Sequence, residues 1–327
     1  MKARALRPLV GDLRQLASVR RIVLDDGPER GVRALSFSTG GGLDFWALSD
    51  RSLDIGPLWC AGVPLAWQSP AGFRSPALHD PEGDGGRGFN RSFSGFLVTC
   101  GLDHTRQPDG EHPHHGRLPF TPARLTAYGE SWDAPEPVLF CEGEVIQARY
   151  GGEALRLRRR IEAPIGGREI RVADEVENLG AEPCPQAMLY HFNLGYPAVR
   201  TGTEVRLGST TLLGPIALPD AGDRPTSANW PVTGDQATCV VGTPNRPGSL
   251  SVEFSFATRA LPHLQVWRDL RPHAGIVAVE PCTSERTPDA RSGPERPIAP
   301  GETRRYSVQV ALSGTLSAAH EPGEDQT

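Results

Sequence analysis

Lysine is almost missing from this chain: Lys2 is the single lysine in 327 residues. Without a lysine in the body of the protein there is no Schiff-base nucleophile and no phosphate-loop cation, which excludes aldolase-type and nucleotide-hydrolysing chemistry. Long apolar runs are missing too, and the arginine-bearing N-terminus lacks the apolar segment of a signal peptide. The expectation is a cytoplasmic protein with no membrane partner. Paired cysteines are absent: Cys60, Cys100, Cys141, Cys184, Cys239 and Cys282 lie far apart with no CxxC, and read as free buried thiols. Beyond Arg158-Arg159-Arg160 there is no dense basic cluster, and the net charge is −5. That leaves no footprint for nucleic acid or an anionic membrane, and the expected partner is a small, neutral molecule.

Glycine and proline are abundant, at 37 and 31, and they are scattered between short apolar runs. Many short strands joined by turns require that pattern, so the chain reads as all-β. Leu13, Leu16, Val19 and Ile22 suggest an amphipathic turn or short helix at the start. From Arg33 two strands flank the turn Gly40-Gly41-Gly42, and Asp50 to Gly56 follows as a charged segment. There Arg51 and Asp54 suit a braced turn and a ligand contact equally. Residues 70 to 95 read as a long loop of the kind that forms a lid or binding loop. Val138 to Leu179 alternates as an antiparallel meander. Within it Arg159 is in phase with Leu155, Leu157 and Ile161, and reads as an arginine at the sheet edge. Further strand-like runs occur at 205–213, 239–242, 250–256, 264–267, 275–280 and 305–312. With no repeat and no linker, residues 1–316 are expected to form one large antiparallel β-sandwich, and the polar tail 317–327 to be disordered.

Three titratable groups fall at strand ends: His115, His191 and Glu280. His191 lies in the apolar strand that ends at Gly195-Tyr196-Pro197, and Glu280 closes the run Ile276 to Val279 just before Pro281. Taken singly, a histidine between Tyr190 and Phe192 is more often a core residue, and a carboxylate after an apolar strand is commonly structural. Together, an acid and a base on separate strands of one sandwich can face a common cleft, as proton transfer on a sugar needs. The loop containing His104, His112, His114 and His115 could crowd around a metal, but it has no second ligand cluster. No metal and no cofactor are expected.

Several segments carry a resemblance: His115-Gly116-Arg117, Tyr190-His191-Phe192-Asn193-Leu194, Val279-Glu280-Pro281 with Pro288-Asp289-Ala290, and Ala299-Pro300-Gly301-Glu302. In this order they resemble the signature regions of the aldose 1-epimerase (galactose mutarotase) family, over about residues 30 to 312. The resemblance implies a β-supersandwich and cofactor-free exchange of anomers at C1. It makes His191 the general acid that protonates the ring oxygen, Glu280 the base that takes the C1 hydroxyl proton, and His115 a substrate-binding group. Ring opening, rotation about C1–C2 and reclosure then give the other anomer. Asn90-Arg91 corresponds to the family's asparagine–arginine pair, and Arg51, Asp54, Arg117 and Asn193 join His115 as expected binding positions. Asp50 to Gly56, Thr99 to Asp103 and Glu280 to Ser284 depart from the usual pattern and mark a divergent branch. The sugar is a free or modified monosaccharide, and a homodimer is admitted. Two alternatives stand beside this: a non-catalytic carbohydrate-binding or regulatory protein, and a metal-assisted isomerase or hydrolase using the histidine loop.

Overall fold

The computed structural model describes residues 3–244, 249–293 and 295–314, so the tail expected to be disordered lies outside the described residues. Five strands come first: β1 (Ser18–Val23), β2 (Arg33–Ser38), β3 (Leu43–Leu48), β4 (Asp54–Cys60) and β5 (Val63–Pro64). Next are β6 (Leu97–Cys100), β7 (Arg124–Ser131), β8 (Val138–Ala148), β9 (Ala154–Pro164), β10 (Glu169–Asn178) and β11 (Leu189–Leu194). The chain continues through β12 (Glu204–Leu207), β13 (Thr210–Leu213), β14 (Thr226–Pro231) and β15 (Gln236–Gly242). It closes with β16 (Ser251–Ala257), β17 (His263–Asp269), β18 (Ile276–Cys282) and β19 (Thr303–Ser313). β1 to β5 form a sequential meander. A nine-stranded sheet has the order β13-β12-β15-β16-β19-β10-β9-β8-β7, and a five-stranded sheet the order β14-β17-β18-β11-β6. Every strand pairing is antiparallel, as a sandwich of hairpins and longer crossovers requires.

Period-two burial explains how the sheets pack. In β9 Leu155, Leu157, Ile161 and Ala163 are buried while their neighbours are partly open, and Ile170, Val172 and Val176 repeat the pattern in β10. β11 and β18 are buried along their whole length, so each serves two faces. Tyr190, Phe192, Leu194, Val277 and Val279 belong to the main core, which draws on all three sheets. Leu189 and Cys282 belong to a smaller cluster with Phe89, Val98, Cys100 and Phe120 on the other face. His191, Asn193 and Glu280 share phase with this second set, so strand alternation puts them on the face away from the main core.

Four expectations need correction. Arg159 is not at a sheet edge. It is 2% exposed and directly opposite Asp174 across β9 and β10, and it donates to both Asp174 oxygens, to Asp54 Oδ1 at 2.7 Å and to Thr99 Oγ1 at 2.8 Å. Tyr190 Oη donates to the same Asp174 carboxylate at 2.7 Å, so one polar network joins the nine-stranded sheet to β4, β6 and β11. Burial acts to lower the Arg159 pKa, but Asp174 and Asp54 outweigh it and the net direction is upward. An arginine is tolerated in phase with leucines here because its guanidinium protons meet facing acceptors. Second, the expected short turn is present as a 3₁₀ turn at Leu13–Gln15, but Val19 and Ile22 lie beyond it in β1, whose β-branched residues pair with β2. Third, β7 and β14 had not been anticipated. β7 is half-exposed and Thr226–Pro231 mixes polar residues, so neither shows a clean apolar run. Fourth, 205–213 is two strands joined through Gly208, not one.

Candidate active site

Position on the five-stranded sheet assembles the site. Phe192 pairs with Val279 and Asn193 with Ala278, a register that carries on to set His191 opposite Glu280. Gln265 in β17 is the registered partner of Glu280, and Val98 in β6 that of His191. Residues directly opposite in an antiparallel sheet point to one face, so Val98, His191, Glu280 and Gln265 form a row across it. The loop between β6 and β7 brings His115 over this row. His115 has a left-handed φ of 67°, sparsely populated by non-glycine residues. Gly116 follows at φ 78°, where a Cβ would lie 2.2 Å from the Gly101 carbonyl oxygen and 2.3 Å from that of His104. The His-Gly pair is therefore a steric requirement of the turn.

His191, Glu280 and His115 line one cavity of about 470 Å³, within the range of small-molecule sites. Phe89, Phe93 and Trp267 supply apolar walls, and Asn90, Arg106, Gln107, His114, Gln265 and Arg286 supply polar ones. The His191 ring meets Phe93 and Trp267 edge-on, with centroids 5.1 and 5.8 Å away. Its Nδ1–H donates to Asn193 Oδ1 at 2.6 Å, while the Asn193 amide donates to the carbonyls of Gly95 and His191. This tautomer leaves Nε2 as the acceptor, 3.4 Å from Glu280 Oε1. Glu280 Oε2 accepts from the Gln265 amide, and Arg106 donates to the other end of Gln265 at 2.8 Å. Glu280 Oε1 is buried and, among the described residues, has no hydrogen-bond partner.

Electrostatics keep one proton on the pair. Burial pushes Glu280 up to about 8, with Arg106, the Gln265 hydrogen bond and Arg286 acting the other way. Burial pulls His191 down to about 4, opposed by its hydrogen bond to Asn193. Between those values Glu280 holds the proton and His191 is neutral, and the two titrate as a coupled unit. His115 is also held well below its ordinary value, by burial first and then by His114 and His191. It donates from Nδ1 to the Thr105 carbonyl at 2.9 Å, so its Nε2 is an acceptor. His114 stacks on it at 4.0 Å and takes the Gln107 amide on Nε2, so its Nδ1 bears the proton and is buried without a partner among the described residues.

The other expected binding positions divide. Asn90 lines the cavity. Its neighbour Arg91 is exposed and paired with Asp84. Arg117 lies outside the cavity, joined to Glu82 and Asp103 at 2.8 and 3.0 Å. Asn193 orients His191 and does not line the cavity. Arg51 and Asp54 do not reach it either. Arg51 is buried over the Phe120 ring at 4.2 Å and donates to the carbonyls of Gly72 and Ser92, clipping together the loops behind Phe89 and Phe93. Asp54 belongs to the Arg159 network. Opposite charges three residues apart revealed a turn but not which way it faced. Trp267, Gln265 and Arg106 were missed, and His114, read from the sequence only as a possible metal ligand, lines the cavity instead. The spacing of Gln265 and Trp267 on β17 was the available signal, since two such residues two apart share one face.

The model of a family described as "Domain of unknown function (DUF4432)" matches residues 29–312. No curated protein sequence matches the chain. Among solved structures, a candidate aldose 1-epimerase from Klebsiella pneumoniae subsp. pneumoniae is 19% identical with a TM-score of 0.80, over 95% of this chain and 86% of that one. A galactose mutarotase-like protein from Clostridium acetobutylicum is 11% identical with a TM-score of 0.60, over 91% and 98%. Galactose 1-epimerase from Lactobacillus acidophilus NCFM is 10% identical with a TM-score of 0.50, over 91% and 99%. At these identities the likeness is one of fold: a galactose mutarotase-like β-sandwich.

Proposed function

The chain belongs to the DUF4432 family, and from that membership, the mutarotase-like fold and the cavity chemistry we propose that it is a cofactor-independent aldose 1-epimerase, exchanging the anomers of a free or modified monosaccharide. The observation that carries this is the His191–Glu280 pair: a ring nitrogen and an unpartnered carboxyl oxygen 3.4 Å apart in one cavity. The anomeric carbon of a sugar bears two oxygens, the hydroxyl and the ring oxygen. A base and an acid this close together address both from one side. A sugar hydroxyl donating to Glu280 Oε1 stabilises the carboxylate, and the proton moves to His191. Glu280 then takes the C1 hydroxyl proton while His191 protonates the ring oxygen and the ring opens. Rotation about C1–C2 and the reverse transfers give the other anomer. Asn193 holds the His191 ring, and Gln265 with Arg106 holds the carboxyl group.

The aromatic walls suit the apolar face of a pyranose, and the His115 acceptor and His114 donor suit its hydroxyls. A binding module needs sugar contacts but no unpartnered acid–base pair, so this geometry favours the enzyme. The six cysteines are all free and buried, in keeping with a cytoplasmic setting, and among the described residues no helix is long and apolar enough to cross a membrane. The test is NMR exchange or polarimetry over a panel of aldoses, uronates and keto-sugars, with and without chelator. Acceleration of anomer exchange for at least one sugar is expected, and it should survive chelation. A panel in which no sugar exchanges faster than its spontaneous rate refutes the proposal.

A further inference from the structure

The histidine loop does not converge on one point. His114 and His115 turn into the cavity, while His104 and His112 lie together elsewhere with Asp109. Asp109 is fixed as a carboxylate: its Oδ1 accepts the backbone N–H groups of Glu111 and His112 at 2.9 and 2.8 Å. Its Oδ2 is turned to the two rings, 3.0 Å from His112 Nδ1 and 3.9 Å from His104 Nδ1. The His104 ring is equally constrained. Its Nε2 can only donate to the Gln107 carbonyl, at 2.8 Å, which turns Nδ1 towards Asp109. Asp109 Oδ2 thus lies between two imidazole nitrogens, accepting from His112 Nδ1 at 3.0 Å and standing 3.9 Å from His104 Nδ1, too far for a hydrogen bond. Hydrogen bonds account for the His112 contact, and a cation shared by the three convergent ligand atoms accounts for the approach of His104 as well. The outer partner fits as well, because metal-bound histidines usually donate their second nitrogen to a carbonyl or carboxylate.

We propose that His104, Asp109 and His112 form a divalent-metal site suited to Zn²⁺, which fastens the 103–116 loop and so holds His114 and His115 in the cavity. Two imidazole nitrogens and one carboxylate are borderline ligands that zinc accepts, with water filling the open position. The ligand atoms lie within 4.8 Å of one another, so small movements give bonds of about 2.0–2.2 Å. His104 and His112 are nearly parallel, with ring planes 12° apart. The path to the cavity is short. Gln107, whose carbonyl holds His104, gives its side-chain amide to His114, and His114 stacks on His115. The ion's role is positional: it takes no part in the proton transfers proposed above, so anomer exchange survives its removal.

The experiment is calorimetric titration of Zn²⁺ into chelator-stripped full-length protein, beside His104→Ala, His112→Ala and Asp109→Asn, with circular dichroism to confirm folding. Amide exchange over 103–116 is followed with and without the ion. Expected are one ion per chain, affinity at least about tenfold weaker in every folded variant, as even an outer partner's loss costs roughly 10–100-fold, and slower amide exchange over the loop on binding. Failure of the wild type to bind Zn²⁺, or less than tenfold weakening in the folded variants, overturns the site. Binding lost instead in His115→Asn overturns it too, since that places the ion in the cavity. Unchanged exchange over the loop overturns the fastening role.

Discussion

Replacing Glu280 with glutamine should remove activity and at the same time strengthen the fold at alkaline pH. In the resting site Glu280 is protonated, its Oε2 accepting from Gln265 and its Oε1 facing the acceptor Nε2 of His191. Glutamine copies that pattern: its carbonyl oxygen takes the Gln265 amide, and its NH₂ donates to His191 Nε2. What it cannot do is ionise. A carboxyl raised from 4.5 to about 8 on folding keeps its proton in the native state while the unfolded chain releases it. Its stability contribution is whole below pH 4.5 and is lost as pH rises through about 8. At 1.36 kcal/mol per pH unit, the wild type forfeits up to about 5 kcal/mol across that window, and the variant forfeits none of it. Denaturant unfolding at pH 5 and pH 9 should therefore show a variant close to wild type at the lower pH and more stable at the higher. Anomer exchange by the variant should fall by about 10²–10⁴-fold, a barrier rise of roughly 3–5.5 kcal/mol, with sugar binding retained. A variant that is destabilised equally at both pH values, or that exchanges anomers at the wild-type rate, would refute the assignment of Glu280 as a buried proton-transfer group.

Three further tests address the proton inventory and the scaffold. The rate should be bell-shaped in pH, falling below about 4, as the pair gains a second proton, and above about 8, as it loses its last; a flat profile across pH 7 to 10 contradicts a single shared proton. Arg159→Met should cost about 3–5 kcal/mol in denaturant unfolding, because Asp54 and Asp174 are left as buried, uncompensated charges, and a cost under about 1 kcal/mol would mean the network contributes little. Gly116→Ala should abolish exchange through displacement of the His115 turn, since the new methyl would sit 2.2 Å from a backbone oxygen; full activity in that variant would show that the turn does not position the site.

Local rules determined much of this protein. Glycine and proline spaced between short apolar runs specified an antiparallel β fold, because strand length and turn chemistry are set by neighbouring residues. The runs ending at His191 and Glu280 marked both groups, since a titratable residue closing an apolar strand is visible without knowing the partner strand. Their separation was not visible. The β11–β18 register, fixed by packing of Phe192 and Val279 into the main core, brings together two residues 89 positions apart. The direction of each charge was likewise a tertiary matter. Arg159, Arg51 and Asp54 all sit on strands or turns whose periodicity says which residues share a face, but only the packed sheets say which face is buried and which acceptors wait there. The histidine loop shows the same limit most plainly: spacing grouped four imidazoles as one set, and the folded turn at Gly116, too crowded for any Cβ, sends His114 and His115 to the cavity and leaves His104 and His112 with Asp109.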